Sequence, residues 1–439
     1  MEFQTLKRSH LKRNIVIAVV VVAITSAIIL TFTRAKYKTT ESIPLVNGTI
    51  NYTPYDLKMV AMYQEENDGY KSIDTVPTSG YTLNEEKSYC EVNDAKDESI
   101  SMEYKDGKVY IGVSKKGTKC YLYFDIQLCQ GKACNTILAN NSVNSGTPNF
   151  SKTATTDEGI YKIQDDWGDS YYFRGAVTNN WVKFAGYYWR IIRINGDGSI
   201  RMIYNGTSTA TTGTSAQLQT SAFNSSYNDN MYVGYMYTSN QVHGLGSSST
   251  IKGVLDSWYQ TNIANKGFGN KVSTEAGFCG DREPSTSSSS SNGSGGTGTT
   301  TTYYGGYIRF TNSTKSPILK CKNSSDLYTV SGSSKGNKAL SNPIGLITAD
   351  EVAMAGGVYG SSNDSYYLYT GQNYWTMSPY FFNASGGKSW ARVFSVYSGG
   401  DLNFNFVNNT WSVRPVINLR SDVTISSGDG TSSNPYVIS

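Results

Sequence analysis

Histidine is almost missing from this chain: His10 and His243 are the only two in 439 residues. That scarcity excludes a histidine metal cluster and leaves at most one histidine for a hydrolase triad. The six cysteines, Cys90, Cys120, Cys129, Cys134, Cys279 and Cys321, form no C-x-x-C pair, which argues against a zinc ribbon or a thioredoxin-like site. Clustered Lys/Arg blocks are absent beyond the N-terminal region. Residues 1–38 carry seven Lys/Arg against one Glu, so the remaining residues hold −2 of the whole chain's +4. Nothing there favours nucleic acid. No repeat of fixed period occurs, which excludes a solenoid. No metal site and no cofactor is expected.

What is present begins with an uncharged stretch, Ile15–Phe32 (IVIAVVVVAITSAIILTF), without proline or glycine. At helical rise it covers roughly 27 Å, close to the ~30 Å hydrocarbon core of a bilayer. Lys7, Arg8, Lys12 and Arg13 precede it, which keeps the N-terminus cytoplasmic and sends the rest outside. It is longer than the apolar core of a secretory signal, and the sequence after it is a poor cleavage site. A single-pass cell-membrane protein with an extracellular C-terminal part follows. An oxidising exterior suits disulfides, and sequence neighbours pair as Cys90–Cys120, Cys129–Cys134 and Cys279–Cys321.

The expected organisation is a cytoplasmic tail (1–14), the anchor (15–32), a stalk (33–56), a small β-sandwich (57–125), a connector (126–155) and a larger domain (156–439). Runs at 99–104, 108–114 and 119–124, rich in Val, Ile and Tyr, supply the sandwich strands. In the larger domain, strands are expected at 170–174, 181–184, 187–194 and 199–204. Asn195-Gly196-Asp197-Gly198 is the strongest hairpin signal. Two helices are expected: Thr250–Ala264, and one opening at Thr348 with a Thr-x-x-Glu capping box that ends at Gly356-Gly357. Residues 284–302, almost all Ser, Thr and Gly, read as a disordered insertion clamped by Cys279–Cys321. Residues 303–320 then return to strand-like composition.

The segment 374–419 is dominated by Tyr, Phe, Trp, Ser, Asn and Gly, with strands expected at 374–378, 391–396, 401–406 and 413–419. Those residues combine rigid contact area with adaptable hydrogen bonding. The candidate ligand-binding residues are Phe381, Phe382, Asn383, Trp390, Phe394, Tyr397, Asp401, Asn403, Asn405, Asn408 and Asn409.

Tyr188–Ile194 (YWRIIRI), Trp375–Pro379 (WTMSP), Trp390–Val393 (WARV), Val413–Val416 (VRPV) and the tail Gly428–Ile438 (GDGTSSNPYVI) resemble recurring pieces of a family of uncharacterised bacterial membrane-anchored surface proteins. Residues 156–439 are similar to the bacterial form of the C-type-lectin-like fold. Formylglycine-generating-enzyme-like domains and the variable proteins of diversity-generating retroelements share that form. The resemblance implies a mainly β, α+β binding scaffold. It departs from both known chemistries: no cysteine follows Cys321, and neither Glu-Pro-Asn, Gln-Pro-Asp nor Trp-Asn-Asp occurs.

The function expected is surface adhesion or display, with an extracellular protein or glycan as partner. The alternatives are a surface enzyme or a structural envelope component. Carboxylate pairs for glycoside hydrolysis could be drawn from Asp165-Asp166, Asp350-Glu351 and Asp281/Glu283. Helix capping explains the second, and solvated loops are expected for the other two. A solvated loop is also expected for His243.

Overall fold

The computed structural model describes residues 57–438 apart from 67–68, 79, 106, 113–114, 286–294 and 386–387. The anchor Ile15–Phe32 and the stalk lie outside the described residues. Among the described residues no helix is long and apolar enough to cross a membrane. The described residues are mainly β and divide into two compact units, one ending at Gln127 and the other starting at Leu128.

In the first unit the described strands are β1 (Leu57–Glu66), β2 (Gly69–Ile73), β3 (Tyr81–Leu83), β4 (Tyr89–Val92), β5 (Ala95–Lys96), β6 (Met102–Lys105), β7 (Lys108–Ile111) and β8 (Thr118–Ile126). Six of them make one sheet in the order β2-β1-β8-β4-β5, with β3 also on β8. β8 alternates buried and half-buried residues, as a strand with one face toward the core does. Its inward Cys120, Leu122 and Phe124 meet Val109 and Ile111 of the separate β6–β7 hairpin in one core. The expected sandwich is therefore lopsided, a sheet covered by a single hairpin. Cys90 and Cys120 are direct cross-strand partners and are joined by a disulfide.

The second unit begins earlier than expected. Residues 128–155 are not a connector. α1 (Lys132–Ala139) buries Ala133, Cys134, Ile137 and Leu138 in the second unit's core, and Cys129–Cys134 closes its first turn. The apolar spacing of those four residues is helical, but the helix is short and was masked by its polar flanks.

The larger sheet is built from β9 (Val143–Asn144), β10 (Asp157–Gln164), β11 (Asp169–Gly175), β12 (Trp181–Phe184), β13 (Tyr187–Ile194) and β14 (Ile200–Tyr204). The Asn195–Gly198 turn joins β13 to β14, with Gly198 at φ 79°. A second sheet starts from β15 (Thr220–Ala222) and β16 (Thr302–Tyr303). Its main strands are β17 (Tyr374–Ser385), β18 (Lys388–Val396), β19 (Leu402–Phe406) and β20 (Thr410–Ser412), in the order β15-β20-β17-β18-β19 with β16 on β17. The chain then returns to the first sheet as β21 (Val416–Leu419), β22 (Ile425–Ser427) and β23 (Tyr436–Ile438).

The aromatic- and arginine-bearing pieces of 188–194, 375–379 and 413–416 sit in this body as structural parts. Trp189 and Trp375 are wholly buried, their indole N–H groups donating to Phe184 O and Ser221 O. Arg414, also buried, donates to Tyr204 O, Leu368 O and Asn205 Oδ1 while its guanidinium lies over the Tyr374 ring. Arg190 stacks on Trp181 and donates to Asn180 Oδ1 and Val177 O. Burial lowers its pKa to about 9.

α2 (Thr250–Tyr259) opens with Ser249 as N-cap and runs into one π-turn to Ala264. Residues 303–320 do not continue as strand. α3 (Gly305–Thr311) forms there, because Gly306 lets the helix approach the Phe394 ring, where an added Cβ would come within 3.1 Å. α4 (Ala349–Ala355) carries the capping box in full, Thr348 Oγ1 accepting from Glu351 N and Glu351 Oε2 from Thr348 N, and ends on Gly356 at φ 115°.

The insertion expected to be disordered from 284 to 302 is anchored wherever it is described. Asn230 Nδ2 donates to the carbonyls of Thr297, Gly298 and Thr300, and Ser285 N donates to Tyr303 O. Residues 286–294 lie outside the described residues. Cys279 and Cys321 are joined across this segment.

Candidate functional site

The β17–β18–β19 hairpins place a row of side chains across three strands: Phe381 is the register partner of Arg392, and Arg392 of Phe406. Paired residues of antiparallel strands face the same way. The Arg392 guanidinium therefore lies between two rings, 4.3 Å from the Phe381 centroid and 4.7 Å from that of Phe406. Its Nε and Nη1 have no hydrogen-bond partner among the described residues. Burial lowers its pKa, and no carboxylate offsets the effect. The Phe381 and Phe406 ring faces flank the cation.

The aromatic face extends on both sides. Tyr303 stacks on Phe381 at 5.2 Å, Tyr380 on Phe404 at 4.1 Å, and Trp390 lies 5.9 Å from Phe406. Tyr303, Phe381, Trp390, Phe404 and Phe406 are all partly exposed. Asn383 pairs with Trp390 and shares its side of the sheet.

The eleven expected contact residues thus do not form one surface. Phe381, Asn383 and Trp390 belong to the aromatic face. Phe382 and Phe394 are wholly buried, Phe394 beneath Tyr380 and against Phe310, so neither can touch a ligand. Asn403 and Asn405 alternate with Phe404 and Phe406 and face the other way. Asn405 is buried and accepts from Asn409 Nδ2, and Asp401 is buried and accepts from Asn403 Nδ2. Tyr397 is half-buried against Trp411, its hydroxyl donating to Phe404 O. Asn408 and Asn409 are exposed in the β19–β20 turn. Alternation through Phe404 and Phe406 could have found those two rings, while nothing local pointed to Arg392 or Tyr303.

The carboxylates considered for catalysis are occupied elsewhere. Glu351 Oε1 lies 2.5 Å from Arg201 Nε and 3.0 Å from Arg193 Nε, and Arg193 also meets Asp165 at 2.7 Å. Arg309 makes a two-pronged contact with Asp350 at 2.9 and 2.8 Å and reaches Asp281 at 2.5 Å. Burial alone would raise the Glu351 carboxyl, but the Arg201 and Arg193 guanidinium groups outweigh it and hold it below its ordinary value. Asp165 and Asp281 are therefore buried ion-pair members, not solvated turn residues. The cavity between these pairs, of about 30 Å³, has room for about two waters and none for a sugar ring.

His243 is half-buried and paired rather than freely solvated. Its Nδ1 lies 3.2 Å from Asp326 Oδ1 and its Nε2 3.2 Å from Glu283 Oε2. The adjoining Asp326 carboxylate raises its pKa from the ordinary 6.5 despite burial. Arg282, buried, closes the cluster at 2.7 Å from Asp326. No nucleophile completes a triad in these contacts.

A second surface is an open groove of about 600 Å³ beside α2, lined by Leu218, Gln219, Thr250, Gly253, Val254, Ser257, Trp258, Thr261 and Asn262. None of these is charged. Tyr187 packs 5.5 Å from Trp258 and donates its hydroxyl to Asn262 Oδ1, fixing both.

No protein family, curated protein or solved structure matches this chain.

Proposed function

We propose that this chain is a membrane-anchored surface recognition protein, held by Ile15–Phe32, with an extracellular second unit of the C-type-lectin-like kind. Its ligand docks on the aromatic face of the C-terminal hairpins. The observation that carries the reading is Arg392, itself largely buried between Phe381 and Phe406: a cation without a carboxylate partner among the described residues, beneath partly exposed rings. Aromatic residues and arginine dominate the residues that carry binding energy at protein interfaces. A partner protein presenting carbonyl or acidic groups suits it. The two short-helix-bearing sheets and the buried arginine near the chain's end support the lectin-like reading.

The groove at Trp258 favours a second reading, glycan binding. An indole face with neutral amides and hydroxyls is chemically suited to a sugar.

Full-length protein in detergent should be screened on a glycan array and by pull-down, with R392A, F381A and W258A. Loss on R392A and F381A of about 2 kcal/mol or more, roughly thirtyfold, supports the hairpin face. Loss confined to W258A moves the site to the groove, and unchanged binding in all three overturns both readings.

A further inference from the structure

Lys252 stands on α2, four residues before Asp256, a spacing at which exposed ion pairs are ordinary. This lysine is not exposed: it is 2% accessible, and its ammonium makes one hydrogen bond among the described residues, to Asp256 Oδ2 at 2.5 Å. The nearest ring is that of Tyr235, 6.0 Å from Nζ and itself buried. A buried ammonium with three donors and one acceptor is costly as a purely structural element.

The other oxygen of the same carboxylate reaches an amide. Asp256 Oδ1 accepts from Asn342 Nδ2 at 3.0 Å, and Asn342 is also buried. On its far side, Asn342 Oδ1 accepts from Gln260 Nε2 at 2.5 Å. One carboxylate thus bridges an amine and a carboxamide, and a neutral donor sits on the carboxamide oxygen.

We propose that these residues form an intramolecular isopeptide bond between Lys252 Nζ and Asn342 Cγ, with Asp256 as the proton carrier. Asp256 takes a proton from the Lys252 ammonium, and the freed amine attacks Asn342 Cγ. Negative charge develops on Asn342 Oδ1, where Gln260 Nε2 already donates. The Asn342 Cγ–Nδ2 bond then breaks. Two protons in all pass from Nζ through Asp256 to the leaving nitrogen, which departs as ammonium. One C–N bond forms and one breaks, with no change of oxidation state and no co-reactant. Holding amine, acid and amide together supplies the effective concentration that an uncatalysed amide exchange lacks.

The product would tie α2 to the loop before the Gly345–Val416 bridge, fastening residues far apart in sequence. The test is the intact mass of the reduced, unfolded full-length chain, followed by proteolysis and tandem mass spectrometry. The expected result is a mass lower by one ammonia, with a branched peptide joining Lys252 to Asn342. D256N should return the full mass. Succinimide formation at Asn195-Gly196 would cost the same ammonia, so the branched peptide decides. Full mass, or a deficit with Lys252 and Asn342 recovered in separate linear peptides, overturns the proposal. Because the readout is the mass of the natural chain, it does not depend on any variant folding.

Discussion

Glu351 holds three positions at once: its carboxylate accepts from the Thr348 N–H, pairs with Arg201 and pairs with Arg193. Removing its charge leaves two buried guanidinium groups short of a partner. E351Q should cost about 3–5 kcal/mol in urea unfolding, the range for breaking a buried pair from one side. Its carboxyl is held below the ordinary 4.5, so its contribution is present above that value and fades as pH falls through the lower folded one. His243 behaves oppositely. Its pKa is raised above 6.5, so its contribution is full below 6.5 and is lost as pH rises through the folded value. In a melting series over roughly pH 5 to 9, H243Q should melt lower than the parent on the acid side, meet it on the alkaline side, and so flatten the decline between the two. An unaltered alkaline decline would remove that role. None of these pairings was legible in sequence, because Arg193 and Glu351 lie 158 residues apart and buried partners leave no local trace.

At the scale of elements, signals confined to a few neighbouring residues were readable. The Thr348 box, the αL stop at Gly356 and the Asn195–Gly198 turn are each decided within four or five residues. T348A should therefore lose about 1 kcal/mol, measurable as a shift in the denaturation midpoint at constant slope. The cysteine pairs were readable for a similar reason, since each joins sequence neighbours. Composition misled where packing decides: the Tyr-, Ile- and Phe-rich run after 303 favours strand, yet Gly305 and Gly306 admit α3 beneath the hairpins. The candidate site was legible as a segment but not as a surface. Irregular register between Trp375 and Phe381 breaks the simple alternation that would sort Phe381 from Phe382.

At the scale of the whole molecule, the two units differ in how much core they own. Among the described residues, the first rests on eleven buried apolar residues, two of them the cysteines of its disulfide. With its ends separated by 30 positions in sequence, that bond should contribute about 3–4 kcal/mol. C90A/C120A should lower the unfolding transition of the first unit alone, followed by hydrogen exchange of the Thr118–Ile126 amides, while the amides of 187–194 keep their protection. Loss of protection in both segments together would show that the units unfold as one.

The Cys279–Cys321 bond decides what a protease can do to this chain. A cut anywhere between those cysteines divides the polypeptide without dividing the molecule. The damage would leave a non-reducing gel unchanged and show itself as two pieces only after a thiol is added. The three long hairpin strands β17, β18 and β19, which follow Cys321, would stay joined to the chain before Cys279 through a sulfur–sulfur bond after the backbone had been severed.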